Sequence, residues 1–536
     1  MDTRGSEVQV AIVGAGPTGT MLGIELARRG IEVSILDRQP ERSPESRAIG
    51  IHARTLEVFH QLGVIDEFLD LGHRVDGFAF HLRGRRSLRF SFGALESRYP
   101  FLLTLSQAET QRILEQHLAR LGVSVQRGVQ VLDPHEADDA VELHLRSVGD
   151  ERGRILRAAW VVGCDGAHST VRRSLGLPFD GDDYAQDWLM AEVNVDPEPA
   201  RDQFHVFAHA APPLPIFPMP GGRWRMFLPQ VVNRPEERQP PNMEEIEQLV
   251  AQRGPAGMTL SDPSLLAAFR CYRRSTKIMR EGRMLIAGDA AHIHSPAGGQ
   301  GMNTGLQDAF NLGWKLALVA DGRAPATLLD SYQDERGPVA ASVLAMTHGL
   351  VRTFTIASPR KRQMRDWLLS AAAAMPGAER RYVTRLAQLS HSYRDSAAPR
   401  RDPLVAGDRL PYVAGLQRGD EVVSSLDLLS TPLHTLLVLT GRSPDVASAS
   451  AAVGRFARWA AVVRTVVVDG HGRTAEGAVH DPARHAHRSY GALRGRLVLV
   501  RPDGYVACTA PLGRPEVLER YLRGIMTHAP VLERVS

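Results

Sequence analysis

The feature that most constrains this chain is Gly14-Ala15-Gly16-Pro17-Thr18-Gly19, a GxGxxG loop that directly follows the apolar run Val8-Gln9-Val10-Ala11-Ile12-Val13. A short apolar run ending in glycines suits a strand buried on both faces of a parallel sheet. Residues from Gly16 to Arg29 read as a helix closed by Gly30, and Ile31 to Leu36 as a second strand, which completes a β-α-β unit. Bare glycines let a pyrophosphate approach the helix N-terminus and its partial positive charge. Asp37, 23 positions after Gly14, stands where a carboxylate can accept hydrogen bonds from a ribose diol. Gly14, Gly16, Thr18, Gly19, Asp37 and Arg38 are therefore expected to bind an adenine dinucleotide, and they do not separate FAD from NAD.

At 536 residues the chain exceeds one ordinary core, so it should form several domains or one large enzyme with insertions. A capping box, Ser106-x-x-Glu109, opens a helix with Ile113, Leu114, Leu118 and Leu121 at helical spacing, ended by Gly122. From 183 to 275 short apolar stretches are interrupted by Pro and Gly, as in Pro212-Pro213-Leu214-Pro215, which predicts a mostly antiparallel sheet. At Met284-Leu285-Ile286-Ala287 the buried-strand pattern returns, followed by a Gly-rich loop and a helix from Thr304 to Ala320. The expected fold is α/β: a discontinuous Rossmann-like domain (1–182 and 276–393) carrying the inserted sheet (183–275), a polar linker (394–411) and a separate C-terminal α/β domain (412–536). Strand candidates in that last domain are Leu436–Leu439, Val462–Val468 and Leu497–Val500, with a helix between the first two.

A second set of residues adds chemistry. Gly288-Asp289 directly after a buried strand puts a carboxylate at the mouth of the sheet, where it could hold a sugar-like hydroxyl chain. The following Ser295-Pro296-Ala297-Gly298-Gly299-Gln300-Gly301-Met302-Asn303 can approach a flat ring through bare backbone amides. Thr304-x-x-Gln307 reads as a capping box at the next helix, whose N-terminal end could stabilise negative charge on a reduced ring.

With a "DG" segment at Cys164-Asp165-Gly166-Ala167-His168-Ser169-Thr170-Val171-Arg172 between the GxGxxG loop and Gly288-Asp289, the chain resembles the class A FAD-dependent aromatic hydroxylases. These are typified by para-hydroxybenzoate hydroxylase, and the closer likeness is to the phenol, chlorophenol and polyketide hydroxylase branch. The resemblance implies noncovalent FAD, with Asp289 on the ribitol, Gly299, Gly301, Met302 and Asn303 facing the isoalloxazine, and Gly288 and Pro296 shaping the loops. It further implies FAD contacts from Arg47 and Gln107, and a role for Asp165 toward FAD or the nicotinamide. The implied reaction uses NADPH or NADH to reduce FAD, then O₂, and a flavin C4a-hydroperoxide hydroxylates a phenolic or polycyclic aromatic substrate. The C-terminal segment, notably Leu499-Val500-Arg501-Pro502-Asp503-Gly504-Tyr505-Val506, resembles the thioredoxin-like domain of larger family members, with a structural or homodimer-contact role. Epoxidation or Baeyer-Villiger oxygenation on the same scaffold is the alternative enzyme reading, and a nicotinamide-only binding or regulatory module is the alternative of another class.

No protein nucleophile is evident. The related phenol hydroxylases carry an acidic residue where this chain has Ile49, so no base transfers; His292, His294 and Pro296 are weak catalytic candidates. Phe217, Met226 and Phe227 are candidate substrate contacts on the inserted sheet. Cys164, Cys271 and Cys508 are too widely spaced for a CxxC pair or a zinc finger, so dithiol chemistry and a metal centre are not expected, and a reducing cytoplasm is. A net charge of +4, from 64 basic and 60 acidic residues spread along the chain, gives no nucleic-acid footprint. No run approaches the roughly 18 apolar residues of a membrane span.

Overall fold

The computed structural model describes residues 7–42, 48–82, 87–147, 150–208, 212–231, 240–356, 358–394, 402, 404–442, 445–470 and 477–527. Its first sheet has eight strands, six of them in the order Arg280–Glu281, Met284–Ile286, Asp150–Gly163, Glu7–Val13, Val33–Asp37 and Val125–Arg127. Glu7–Val13 runs parallel to both neighbours, pairing Ile12 with Val162 on one side and with Ile35 on the other. Val10, Ala11 and Ile12 are fully buried, as expected for a strand covered by helices on both faces. The helix Pro17–Ala27 follows, and Ser106 Oγ accepts the Glu109 N–H at the start of the helix Gln107–Arg120, so the Ser106 half of that capping box forms, while Glu109 Oε2 accepts from Arg112 Nε at 2.9 Å. A hairpin, Val129–Ala137 and Ala140–Ser147, extends the sheet antiparallel to Asp150–Gly163.

The second sheet, also of eight strands, orders His292–Ile293, Thr259–Ser275, Asp180–Asp196, Trp224–Val231, Leu214–Pro218, Gln203–Phe207, Gly77–His81 and Ser87–Ser91. Its pairings are antiparallel except where Gln203–Phe207 runs parallel to Gly77–His81. The sheet is thus not made from 183–275 alone: two strands come from earlier in the chain and one from the loop after Gly288. A helix absent from the sequence expectation, Met243–Arg253, buries Ile246, Leu249 and Val250 against Trp224, Met226 and Leu228 on one face of this sheet.

The long helix begins at Gly301, three residues before the expected Thr304, and runs to Ala320. Gly298 (φ +81°) and Gly299 (φ +63°) turn the chain early, and the Thr304 N–H and hydroxyl both donate to Gln300 O at 2.9 Å. Gln307 lies inside the helix and donates to Gln388 Oε1, so the Thr304–Gln307 capping box does not form.

The terminal domain has a seven-stranded sheet around parallel His434–Leu439 and Val463–Asp469, joined by the helix Val446–Phe456, with the antiparallel strands Arg496–Val500 and Val506–Pro511 and the helix Glu516–Ile525 beyond. This is a thioredoxin-like arrangement. Of the expected linker at 394–411, residues 395–401 and 403 lie outside the described residues; Leu404 and Leu410 are buried in the terminal core, and Asp402 pairs with Arg496 at 2.7 Å. The domain docks through Asp503, which accepts from Asn311 Nδ2 at 3.1 Å and Trp314 Nε1 at 3.2 Å, and through Arg501, which meets Glu335 at 2.6 Å. Among the described residues, no helix is long and apolar enough to cross a membrane.

Candidate functional site

The glycine loop is built by close backbone packing. Gly14 has φ +100°, and a Cβ there would lie 2.5 Å from Cys164 O; a Cβ on Gly19 would lie 1.9 Å from Gly14 O. At Gly16 a Cβ would meet nothing within 4 Å among the described residues, so this glycine faces away from them at the helix N-terminus. Thr18 packs between two further glycines, Gly288 and Gly305, where an added Cβ would come within 2.6 and 2.4 Å of its Oγ1. Asp37 ends its strand as expected, but its carboxylate accepts the N–H groups of Ala15 at 2.7 Å and Gln39 at 2.8 Å, and so braces the loop.

The loop opens into a cavity of about 690 Å³ that lies between the two large sheets. Gly16, Thr18, Arg38, Gln107, Asp165 and Asp289 form its polar end. Gln107 is fastened to Ala48 in both directions, its N–H donating to Ala48 O at 3.0 Å and its Oε1 accepting the Ala48 N–H at 3.2 Å. Arg47 lies outside the described residues.

Asp165 Oδ2 accepts the Thr170 N–H at 2.6 Å, at the start of the short helix Thr170–Ser174, while its Oδ1 is buried without a hydrogen-bond partner among the described residues. Burial raises its pKa against the pull of the Ser169 and Thr170 hydrogen bonds. Gly288 (φ +61°) turns the chain from the buried strand Met284–Ile286 into a single 3₁₀ turn, Gly288–Ala290, which leaves Asp289 exposed toward the cavity.

The floor is the loop that carries Pro296, Gly299, Gly301 and Met302, all in the cavity wall. Asn303 is not in the wall. It is fully buried, accepting the His52 N–H at 2.9 Å and donating to Gly50 O at 2.8 Å and Gly299 O at 2.9 Å, and thereby clamps the glycine turn to the strand Gly50–Ile51. His292 is also withdrawn: its Nε2 lies 2.7 Å from Asp308 Oδ2, and Arg336 Nε donates to Asp308 Oδ1 at 2.7 Å. His294 does reach the wall, with its Nδ1 donating to Ser295 O at 2.8 Å. Burial lowers its pKa to about 4, and that of His52 to about 4 as well, so both rings are neutral at ordinary pH.

The far end of the cavity is aromatic and apolar, with Phe78, Phe204, Phe217, Phe227, Phe354 and Tyr382 in its wall. Phe204 stacks on Phe78 at 4.9 Å and on Phe217 at 4.8 Å, and Phe217 meets Phe227 edge-on at 5.8 Å. Met226 is a correction to the sequence reading. Side chains alternate along a strand, so with Phe227 toward the cavity Met226 points to the opposite face, fully buried with Trp224 and Leu228 against the helix Met243–Arg253.

His52, Phe78, Phe204, Phe354 and Tyr382 were missed from sequence. The alternation in Gly77-Phe78-Ala79-Phe80-His81 is a strand signal that could have found Phe78. Phe354 and Tyr382 sit on separate helices, Asp330–Phe354 and Ala378–Leu386, whose inward faces only packing reveals. Ile49 is buried among Trp188, Met190 and Phe227, an apolar wall residue.

Two family models match the chain: "FAD binding domain" over residues 7–347, and "Aromatic-ring hydroxylase, C-terminal" over 403–529. The chain is 36% identical over 522 residues to 6-methylpretetramide 4-monooxygenase of Streptomyces rimosus, covering 93% of this chain and 90% of that one. It is 32% identical to pentachlorophenol 4-monooxygenase of Sphingobium chlorophenolicum, covering 96% of each. Among solved structures it is similar to an anhydrotetracycline hydroxylase from Streptomyces rimosus (TM-score 0.79, 29% identity, covering 98% of this chain and 100% of that one). It is also similar to aklavinone-11 hydroxylase in complex with FAD and aklavinone (TM-score 0.75, 28% identity, 98% and 99% covered).

Proposed function

Since the chain belongs to the FAD-dependent aromatic-ring hydroxylases, we propose that it hydroxylates a fused-ring phenol with dioxygen and a nicotinamide electron donor. The observation that carries this reading is the continuity of one cavity from the glycine-lined end at Gly16, Asp165 and Asp289 to the aromatic end at Phe78, Phe217 and Phe227. The residues at the polar end fit FAD: a cradle open at Gly16, a helix N-terminus behind it, and a carboxylate at Asp289 suited to a hydroxyl chain. When bound, FAD supplies the oxygen activation that no side chain supplies.

The protein's own contribution is position and exclusion of water. The Gly301–Met302 backbone opens the long helix toward the cavity floor, so its free N–H groups and dipole favour negative charge there. Gln107 stays tied to Ala48 and steadies the wall beside the cradle. The aromatic end offers flat, apolar faces for a ring system and keeps water from the reacting edge. His52 and His294, both neutral, act as hydrogen-bonding groups and not as positive charges. Relatives with named ring substrates, 6-methylpretetramide and pentachlorophenol, support an aromatic substrate; the aromatic side chains gathered in the apolar wall, from Phe78 and Phe204 to Phe354 and Tyr382, favour the polycyclic class.

The test is direct. Purified protein should be yellow, release FAD on denaturation, and oxidise NADPH or NADH faster when a polycyclic phenol is added than when a monocyclic one is. Its product should gain one oxygen on a ring carbon. Colourless protein after reconstitution overturns the reading, and oxygen inserted into a C–C bond or across a double bond replaces hydroxylation by Baeyer-Villiger or epoxidase chemistry.

A further inference from the structure

On the hairpin that extends the first sheet, two strands set four potential ligands on one face. Register pairs His135 with Glu142 and Asp133 with His144, so each cross-strand pair joins an imidazole to a carboxylate. The neighbouring positions point the other way: Val141, Leu143 and Leu145 are buried in the main core, which leaves Glu142 and His144 on the outer face by the two-residue period of a strand. The turn between the strands is short, with Asp138 at φ +52° and Ala137 paired to Ala140, and the pairing stays regular from there to His144 opposite Asp133, beyond which the register shifts between His144 and Leu145.

The ligand atoms of His135, Glu142 and His144 all lie within 4.8 Å of one another. His135 Nε2 is 4.0 Å from Glu142 Oε2, and its Nδ1 is 3.8 Å from Asp133 Oδ2. The two rings are 5.5 Å apart between centroids. Arg157, on the third strand, approaches the other oxygen of Glu142 at 3.9 Å and Asp139 at 3.5 Å. It therefore neutralises part of the carboxylate charge without taking the oxygen that faces His135. His135 keeps 45% of its side chain exposed and Glu142 26%, so an ion has access and the rings can rotate to close on it.

We propose that this face binds one divalent transition-metal cation of the zinc class through His135, Glu142 and His144, with solvent taking the remaining position of a tetrahedral shell. Two imidazoles and carboxylate oxygens form a mixed set of borderline and hard donors that suits Zn²⁺ over Mg²⁺ or Ca²⁺, which prefer all-oxygen shells. Neighbouring strands bring such ligands together at fixed spacing, and small rotamer changes bring a 4 Å separation to the shorter contacts of a tetrahedral shell. The ion would brace the two strands of the hairpin on the face opposite the buried Val141, Leu143 and Leu145. Its ligands are separate from those in the flavin cavity wall, so occupancy does not require turnover.

The experiment titrates Zn²⁺ into tag-free, FAD-loaded protein by calorimetry, with Mg²⁺ as a parallel probe. One equivalent of zinc and no heat from magnesium are expected. His144→Ala should weaken zinc binding by about ten-fold or more, and His135→Ala with His144→Ala should abolish it, while the flavin spectrum and the far-ultraviolet circular dichroism stay unchanged. Wild-type protein that takes up no zinc, or a double variant that binds zinc as the wild type does, overturns the proposal.

Discussion

Arg336 Nε donates to Asp308 Oδ1 at 2.7 Å with both side chains fully withdrawn from solvent. Asp308 Oδ2 faces His292 Nε2 at 2.7 Å and the Gly288 N–H at 3.3 Å, and Arg336 also donates to Thr304 O at 3.2 Å and Tyr393 Oη at 3.1 Å. One ion pair thus joins the Gly288 turn, the long helix and the segment leading to the terminal domain. Burial alone would raise the Asp308 pKa, but the charges of Arg336 and His292 outweigh it and hold it below the usual carboxylate range.

Removing one partner leaves a buried charge uncompensated, so Arg336→Met should cost about 3 to 5 kcal/mol of stability. Chemical denaturation of FAD-loaded protein checks this. An unchanged midpoint would show that the pair is not needed to hold the two loops.

Gly14 and Gly16 should separate folding from cofactor binding. Gly14→Ala combines a left-handed backbone with a clash against Cys164 O, and soluble, FAD-binding protein should be lost. Gly16→Val meets no atom of the described residues at its Cβ and should fold, but with FAD affinity reduced by about 100-fold, on the order of 2.7 kcal/mol. Fluorescence titration with FAD reads the difference; equal affinities would show that Gly16 does not face the dinucleotide.

The strand Trp224–Val231 offers an internal control. Phe227→Ala should raise KM for the aromatic substrate with modest loss of stability, whereas Met226→Ala, on the opposite face, should lower stability by about 2 to 5 kcal/mol and leave KM unchanged. Steady-state kinetics beside thermal melts would expose a reversed pattern.

Four histidines, His52 and His434 buried and His294 and His391 half-buried, shape the acid response. Burial lowers His52 and His294 to about 4 and His391 and His434 to about 3. Between the ordinary histidine value of about 6.5 and those folded values, the unfolded chain binds protons that the native state refuses, so stability falls as pH drops through that window. Denaturant midpoints measured at pH 7.5, 6.5 and 5.5 should decline steadily. A flat profile would contradict the burial of these rings.

The dinucleotide end of the site was legible because local chemistry dictates it. A GxGxxG turn between a strand and a helix needs its glycines for backbone contact wherever the rest of the chain goes, and Asp289 follows its strand by sequence adjacency alone. The reading failed where a side chain's direction depends on distant partners. Asn303 and His292 lie in the expected loop but turn inward, because Gly50, His52 and Asp308 offer buried hydrogen bonds. Thr304 and Gln307 carry a sound local capping pattern that Gly298 and Gly299 pre-empt.

The sequence by itself determined the nucleotide-binding half, its interruption by an antiparallel sheet, and a terminal domain without a dithiol. Only the tertiary structure decided that Gly77–His81 and Ser87–Ser91 complete that sheet, that Phe227 and not Met226 reaches the cavity, and that helices ending at Phe354 and Leu386 close its aromatic end. The physical reason is range. Glycine turns, caps and strand periodicity are written within a few residues, whereas which face of a strand or helix meets a cavity is set by packing against other elements, as Met226 against the helix Met243–Arg253 and Phe354 against Phe80.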